Sequence, residues 1–306
     1  MKSKISVIGA GNVGAQCAFR LAQRNVSEIV LLDLLPGLAQ GKALDMSQAG
    51  SIDDFSSNMV GTTEYQETKN SDVVVITAGL ARKPGMSRDD LIAKNAAIIT
   101  DVVQNVIKYS PNTILLIVTN PLDVMTYHAL KLSGLPKNRV LGMAPLLDAA
   151  RMQYFISQMA SAPLNEVYAE VMGSHGDLML PIGRLSTVSG KSLTAVLSAE
   201  QIKQLEDRTT NGGAEIVNLL KTGSAFYAPG SAAAKMAAAI VNDTKEVINS
   251  CCYLEGQYGI KDVCIGVPAK LGRQGIEEIK ELKLAESEMA ILHNAAAAVK
   301  ELCAKL

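Results

Sequence analysis

A glycine-rich turn between a short apolar run and a helical pattern constrains this chain more than any other feature. Gly9-Ala10-Gly11-Asn12-Val13-Gly14 follows a strand pattern at residues 4–8 and precedes a helical pattern at residues 15–24. In such a turn the glycines permit a tight bend, close backbone approach to a pyrophosphate, and close packing of helix on strand. The helix N-terminus then offers N–H donors to a phosphate. The context predicts a dinucleotide-binding unit, although an ordinary glycine-rich turn can share this spacing.

The first half of the chain alternates short β-rich runs with helical patterns, and the second half does not. Strands that are apolar throughout and separated by helices are typical of a doubly wound parallel sheet. The predicted strands are residues 4–8, 29–33, 72–77, 113–119 and 139–143. Later helical patterns cover residues 146–159, 198–220, 231–242 and 286–304, with β-rich pieces at 167–172 and 185–188. We predict an α/β chain: a Rossmann-type doubly wound parallel sheet in a dinucleotide-binding domain (1–143), followed by a second, α+β domain (144–306).

Composition excludes several classes of protein. The 306 residues are 48% hydrophobic, and a net charge of −1 gives no reason to expect nucleic acid or a membrane surface as a partner. The five cysteines are odd in number and lack CxxC spacing, which argues against a disulfide framework or a metal site. The first predicted strand begins too close to Met1 to leave room for a signal peptide. This early start and the cysteine pattern together favour a cytoplasmic protein. The adjacent Cys251 and Cys252 are predicted to be buried in a helix.

Asp33 ends the second predicted strand, 19 residues after Gly14. A carboxylate there can accept hydrogen bonds from an adenosine ribose, whereas its charge repels a 2′-phosphate. Residues 34–36 are Leu-Leu-Pro and supply no compensating arginine. The position therefore favours NAD over NADP, the alternative being a solvated aspartate at a strand end.

A basic loop, Arg82-Lys83-Pro84-Gly85-Met86-Ser87-Arg88, follows the apolar run at residues 73–78. Pro84-Gly85 predicts a turn, and Ser87 with Asp90 predicts a capping box that places Arg88 in the first turn of a helix. A cation there opposes the helix dipole, and such exceptions to local rules occur where a site needs them. Two guanidinium groups on this loop suggest a lid over a small molecule with more than one negative charge.

One of the three histidines lies in a setting suited to proton transfer. His175 follows a strand pattern in the polar loop Gly173-Ser174-His175-Gly176-Asp177, whereas His128 and His293 lie within helical patterns. A histidine that cycles through its charged form is commonly stabilised by a carboxylate. Asp148, with Arg151 three residues later on the same helical face, is a candidate. Spacing alone is equally compatible with a surface ion pair.

Taken together and in order, the motifs of this chain resemble the lactate/malate dehydrogenase family, and within it the bacterial, lactate-dehydrogenase-like branch of malate enzymes. The resemblance covers nearly the whole chain. Its motifs are Val7-Ile8 with the glycine-rich turn, Ile76-Thr77-Ala78-Gly79, residues 82–88, Val118-Thr119-Asn120-Pro121-Leu122-Asp123, Leu147-Asp148-Ala149-Ala150-Arg151, His175-Gly176-Asp177 and Gly223-Ser224-Ala225-Phe226-Tyr227.

The resemblance implies roles for individual residues. Asp148 would hold His175, and Arg151 would bind the carboxylate common to 2-keto acids. Arg88 would polarise the substrate carbonyl and Asn120 would orient the substrate near the nicotinamide. Arg82 stands where malate enzymes carry arginine and lactate enzymes carry glutamine. The implied cofactor-binding residues are Gly9, Gly11, Asn12, Val13, Gly14, Asp33, Thr77, Ala78, Gly79, Asn95, Val118 and Asn120.

The implied activity is NAD-dependent interconversion of (S)-malate and oxaloacetate, with His175 as proton donor and acceptor and without a metal. The implied assembly is a homo-oligomer, a tetramer or a dimer. Two alternatives stay open: a dehydrogenase for L-lactate or another 2-hydroxy acid, and a catalytically silent NAD-binding protein on the same fold. The sequence departs from the family pattern at Pro145, Ser174 and Leu178.

Overall fold

The computed structural model describes residues 3–56, 58–81 and 86–306, which form an α/β structure. The strands are β1 (Lys4–Ile8), β2 (Glu28–Leu32), β3 (Met59–Thr62), β4 (Val73–Ile76), β5 (Ile114–Ile117), β6 (Val140–Gly142), β7 (Val167–Tyr168), β8 (Val171–Gly173), β9 (Met179–Pro181), β10 (Thr187–Val188), β11 (Lys191–Ser192), β12 (Val247–Glu255), β13 (Lys261–Gly272) and β14 (Gly275–Ile279). The helices are α1 (Asn12–Gln23), α2 (Leu38–Ala49), α3 (Arg88–Tyr109), α4 (Leu122–Ser133), α5 (Ala144–Ala160), α6 (Leu193–Val196), α7 (Ala199–Leu220), α8 (Tyr227–Val241) and α9 (Glu286–Cys303). None of the helices in the described ranges is long and apolar enough to cross a membrane.

The first six strands form the predicted doubly wound parallel sheet, in the order β3-β2-β1-β4-β5-β6. The central strands are apolar because helices cover both of their faces, and every residue of β4 has a fully buried side chain. The strand order reverses between β1 and β4. In open α/β sheets, ligands bind beyond the carboxyl ends of the strands at such a reversal.

The sheet continues beyond residue 143 into the second half of the chain. β12 lies antiparallel to β6 through one residue pair, Cys251 with Gly142, and β13, β8 and β9 then extend the sheet with antiparallel neighbours. The prediction that Cys251 and Cys252 lie in a helix is wrong: both lie in β12, fully buried. β12 is buried over most of its length, so its sequence lacks the alternation of apolar and polar residues that indicates a half-buried strand.

Helix packing also joins the two halves of the chain. α8, from the second half, packs against α1, which follows the glycine-rich turn. The helices approach closely at Gly230, where a β-carbon would lie 2.7 Å from the side chain of Gln16. This contact brings the second half of the chain beside the start of the dinucleotide unit.

Gly142 occupies the junction between the parallel and antiparallel parts of the sheet. A β-carbon there would lie 2.6 Å from Thr126 Oγ1 and 2.9 Å from Cys251 Cβ. We expect Gly142→Ala to destabilise the protein by about 1–3 kcal/mol because this core has no room for another methyl group. The urea midpoint, compared at equal protein concentration, measures the effect.

Gly41→Ala is the matched control, since Gly41 lies in α2 and, in the part of the chain that the structure describes, no atom outside the adjacent helix backbone lies within 4 Å of an added β-carbon. It is expected to stabilise the protein by about 0.5–1 kcal/mol through helix propensity. Equal midpoints for the two variants would contradict the close packing described at the junction.

Candidate active site

The glycine-rich turn between β1 and α1 has the geometry that a dinucleotide requires. Gly9 has a φ of +101°, and a β-carbon on it would lie 2.8 Å from the backbone nitrogen of Ala78. A β-carbon on Gly14 would overlap the carbonyl oxygen of Gly9, so α1 can pack against β1 only through glycine. Gly11 is the N-cap of α1, and no side chain of the described structure caps that helix. Its first N–H groups therefore suit a pyrophosphate.

Asp33 supports this turn from the end of β2. Its two carboxylate oxygens accept hydrogen bonds from the backbone N–H groups of Ala10 (2.7 Å) and Leu35 (3.0 Å). Lys42, on α2, donates from Nζ to the carbonyl oxygen of Ala10 at 2.7 Å. Sequence reasoning missed Lys42, because nothing in the helical pattern of α2 indicates that its side chain reaches the turn. The ammonium group adds a positive charge beside the proposed phosphate position.

The other predicted cofactor residues meet at the carboxyl ends of β1, β4 and β5. Thr77 Oγ1 donates to the carbonyl oxygen of Gly9 at 3.0 Å. The buried Asn95 donates from Nδ2 to the carbonyl oxygens of Asn120 (2.6 Å) and Leu80 (3.1 Å), and its Oδ1 accepts from the Leu80 N–H (2.8 Å). The oxygen and the nitrogen of the Asn95 amide thus link the segment that follows β4 to the segment that follows β5, which carries Asn120.

A three-residue ionic chain lies at the start of the second half. His175 Nδ1 lies 2.8 Å from Asp148 Oδ2, and Arg151 Nη1 donates to Asp148 Oδ1 at 3.0 Å. The Asp148 side chain is only 2% exposed, so this is not a surface ion pair. Because the carboxylate accepts a hydrogen bond from Nδ1–H, Nε2 is the ring nitrogen left for a substrate. Both other histidines bond within the scaffold, His128 to Thr100 and His293 to the carbonyl oxygen of Tyr258.

The surroundings of His175 favour its protonated form. Burial lowers the pKa of the imidazole, but the charge and hydrogen bond of Asp148, with the charge of Asp123, outweigh burial and the opposing charge of Arg151. The net effect raises the pKa of His175 above its ordinary value of 6.5. An imidazole of this kind can give a proton and take it back near neutral pH.

In the described structure, the guanidinium group of Arg151 has a free hydrogen-bond donor that suits an anion. Its Nε is buried and has no hydrogen-bond partner among the described residues. Buried N–H groups are nearly always paired, so this one indicates a ligand acceptor such as a carboxylate. Gly212 and Gly213 in α7 leave room for the arginine: β-carbons there would lie 3.3 Å from its Cδ and 3.5 Å from its Nη2. Sequence reasoning missed these glycines, although two adjacent glycines inside a helix are a readable signal because they weaken it.

A pocket of about 360 Å³ joins these groups. Predicted site residues from both halves of the chain line it, namely Val13, Val118, Asn120, Arg151 and His175. The predicted Ser87–Asp90 capping box is confirmed, and Arg88 is the first residue of α3. Its side chain is exposed and does not line this pocket. Arg82 lies outside the described residues. Within residues 3–56, 58–81 and 86–306 no cluster of histidine, cysteine and acidic side chains could hold a metal ion.

Pro145, one of the departures from the family pattern, fits in the first turn of α5. Proline is tolerated there because its missing N–H has no helical partner. It packs against β13 at Gly266, where a β-carbon would lie 2.8 Å from Pro145 Cγ. The helix that carries Asp148 and Arg151 therefore enters without losing a backbone hydrogen bond.

Comparison with known proteins gives the same family for both halves of the chain. Residues 3–142 match the lactate/malate dehydrogenase NAD-binding domain, and residues 146–306 match the lactate/malate dehydrogenase alpha/beta C-terminal domain. Malate dehydrogenase from Synechocystis sp. is 51% identical over 297 residues, covering 97% of this chain and 92% of the relative.

Solved structures agree with this match. The apo form of malate dehydrogenase from Picrophilus torridus superposes with a TM-score of 0.97 at 44% identity, over 99% of this chain and 97% of that chain. Lactate dehydrogenase from Cryptosporidium parvum, complexed with lactic acid and nicotinamide adenine dinucleotide, superposes with a TM-score of 0.95 at 37% identity, over 99% of this chain and 98% of that chain. With its glycine-rich turn and its buried Arg151–Asp148–His175 chain, this protein belongs to the lactate/malate dehydrogenase family.

Proposed function

We propose that the protein catalyses the NAD-dependent interconversion of (S)-malate and oxaloacetate. The observation that carries the proposal is the buried Arg151–Asp148–His175 chain, which reaches a pocket also lined by Val13 of the dinucleotide turn. The 51% sequence identity to a malate dehydrogenase over 97% of this chain supports the choice of substrate.

His175 is the proposed proton donor and acceptor. During reduction its Nε2–H gives a proton to the carbonyl oxygen of oxaloacetate, and during oxidation Nε2 takes the proton from the malate hydroxyl. Asp148 holds the ring through Nδ1 and stabilises the imidazolium form. When bound, NAD supplies the hydride chemistry at C2 of the substrate.

Four residues are proposed to bind the substrate. Arg151 binds the C1 carboxylate, which would satisfy its unpaired Nε. Arg82 binds the distal carboxylate, Arg88 stabilises charge that develops on the carbonyl oxygen, and Asn120 orients the molecule. The basic loop that carries Arg82 and Arg88 would act as a lid.

NAD is the proposed cofactor in preference to NADP. The predicted binding residues surround the glycine-rich turn and the ends of β4 and β5. Asp33 would accept hydrogen bonds from the adenosine ribose and repel a 2′-phosphate. The position of Asp33 beside the turn, fixed by its bond to the Ala10 N–H, supports this choice.

Three further proposals concern organisation. The NAD-binding domain spans residues 1–143 and the catalytic domain 144–306, a division supported by the two family matches. The chain self-associates as a tetramer or dimer, supported by exposed apolar side chains such as Tyr154 on α5 and Leu219 on α7. A cytoplasmic location is supported by five free cysteines, four of them buried.

NADH oxidation, followed by absorbance with oxaloacetate or pyruvate, tests the activity directly. We expect NADH with oxaloacetate to be the preferred pair, and His175→Asn to lower its rate about 10²- to 10⁴-fold because the proton donor is lost. A wild-type rate no higher than that of His175→Asn would instead support the catalytically silent alternative. A preference for NADPH would refute the role given to Asp33.

The pH dependence tests the Asp148–His175 pair. Reduction requires protonated His175, so kcat/KM for oxaloacetate should fall as pH rises through the histidine pKa. Asp148→Asn removes the carboxylate that favours the imidazolium form and leaves the opposing effect of burial. We therefore expect the alkaline limb to move to lower pH. Asp207→Asn, an exposed carboxylate on α7, controls for the loss of one charge; equal profiles in both variants would argue against the pairing.

Arg82→Gln tests substrate selection. It should remove most oxaloacetate turnover and raise relative activity on pyruvate, since losing one partner of a desolvated charge pair weakens binding by about 2–5 kcal/mol. Ratios of kcat/KM for the two substrates measure the change. Arg151→Gln is the matched control and should weaken both substrates, because both carry the carboxylate that Arg151 binds. An Arg82→Gln enzyme that keeps the full oxaloacetate preference would show that selection resides elsewhere.

A further inference from the structure

A second buried carboxylate, Asp123, lies behind the loop that carries His175. It belongs to the first turn of α4, two residues after Pro121, and is 3% exposed. Its Oδ2 accepts hydrogen bonds from Ser174 Oγ (2.8 Å) and from the backbone N–H of His175 (3.0 Å), and Cys251 Sγ donates to its Oδ1 at 3.2 Å. None of these contacts is required by the acid–base chemistry assigned to Asp148.

Backbone contacts hold the two ends of the His175 loop: Gly173 pairs with Gly266 and Met179, and the Met179 N–H donates to the carbonyl oxygen of Gly176 at 3.1 Å. Gly173 and Gly176 flank Ser174 and His175 with φ values of +84° and +128°. Among the described residues, no atom beyond the chain neighbours of Gly176 lies within 4 Å of a β-carbon added there. Glycine backbones are conformationally free, so the direction of the His175 ring depends on contacts from neighbouring elements. Two adjacent residues of this loop bond to one oxygen of Asp123, which fastens the loop to the start of α4.

We infer that Asp123, acting with Ser174, is a positioning residue for His175. The carboxylate fixes the backbone that presents the imidazole, and its negative charge acts with that of Asp148 to favour the imidazolium form. Because the same helix turn follows Asn120, the arrangement also fixes His175 relative to a proposed substrate-binding residue. Ser174 departs from the family pattern, and in this arrangement its hydroxyl group links the His175 loop to Asp123.

The groups around this arrangement define its electrostatics. Asp148 and Arg151 face His175 from α5, Asp123 faces it from α4, and Cys251 on β12 bonds in turn to Cys264 on β13. Burial is the largest effect and raises the pKa of Asp123 above its ordinary value, against the hydrogen bonds from Ser174, Cys251 and His175 and the charge of His175, which lower it. Three groups bond to this carboxyl, and the His175 N–H can act only as a donor, which suits an ionised acceptor.

The expected effect on catalysis rests on the proposed function. The titration of His175 does not, because it is measured without substrate. The protein has three histidines, so NMR of ring-¹³C-labelled histidine gives a titration of each, with His175→Asn for assignment. We expect Asp123→Asn to lower the pKa of His175 by about half a unit to one unit, through loss of a nearby negative charge. It should also lower kcat for oxaloacetate about ten- to a hundred-fold through misplacement of the ring, with KM for NADH unchanged.

Glu170→Gln is the matched control. Glu170 is a buried carboxylate that also accepts hydrogen bonds, from Tyr168 and Asn249, and it does not contact His175. A merely structural role for Asp123 predicts similar loss of stability in both variants and an unchanged His175 titration in both. The positioning role predicts a shift in Asp123→Asn alone.

Ser174→Ala keeps the proposal testable if Asp123→Asn does not fold. It removes one of the two hydrogen bonds between the loop and Asp123. We expect kcat to fall several-fold and the His175 ring resonances to broaden, with Ser174→Thr restoring both. An unaltered His175 titration in Asp123→Asn, or unchanged kcat and ring resonances in Ser174→Ala, would overturn the inference. If wild-type protein does not reduce oxaloacetate, the proposed function fails, whereas the substrate-free titrations still decide the role of Asp123.

Discussion

The buried bridge that Asp148 makes between Arg151 and His175 is the interaction on which the rest of the site depends. An ionised carboxylate is stable inside a protein only when partners satisfy it, and here each oxygen has one. Because both partners must stay in place, α5 must hold Asp148 and Arg151 rigidly, and the His175 loop must be fixed from outside. The packing of α5 against α7 and β12, and the bonds from Asp123, meet these two requirements.

The parts of this molecule that local physics controls could be predicted from the sequence. Apolar periodicity locates five of the six parallel strands to within a residue or two, and Ser87 with Asp90 locates the start of α3. The glycine-rich turn locates the first helix, which begins at Asn12, three residues before the predicted start. The sequence also identifies His175 and Asp148 as candidates, since a polar loop between glycines and a helical i,i+3 pair are both local patterns, and the structure places the two side chains in contact. Spacing did not distinguish a buried bridge from a surface pair, because burial depends on what the rest of the chain places above the helix.

The features that sequence reasoning missed are set by contacts between distant segments. β3 lies beside α2, whose backbone passes so close to Gly61 that only glycine fits, and a short strand with a glycine carries a weak pattern. β12 and β13 are recognised as strands only through their pairing with each other and with β6. Lys42, Gly212 and Asp123 likewise owe their importance to groups more than thirty residues away in the chain.

The continuous sheet explains how a site assembled from two halves of the chain can keep fixed distances between its groups. Had the halves met only through a mobile linker, the distance from the dinucleotide turn to His175 would vary with every motion between them. Instead β6 pairs with β12, α8 packs against α1, and Asp123 of the first half bonds to Ser174 and His175 of the second. A hydride and a proton must reach neighbouring atoms of one small substrate, which requires a fixed separation between the groups that deliver them. The junction at Gly142 and Cys251 therefore serves the chemistry as well as the fold, because it joins the sheet that carries the dinucleotide turn to the strands beside His175.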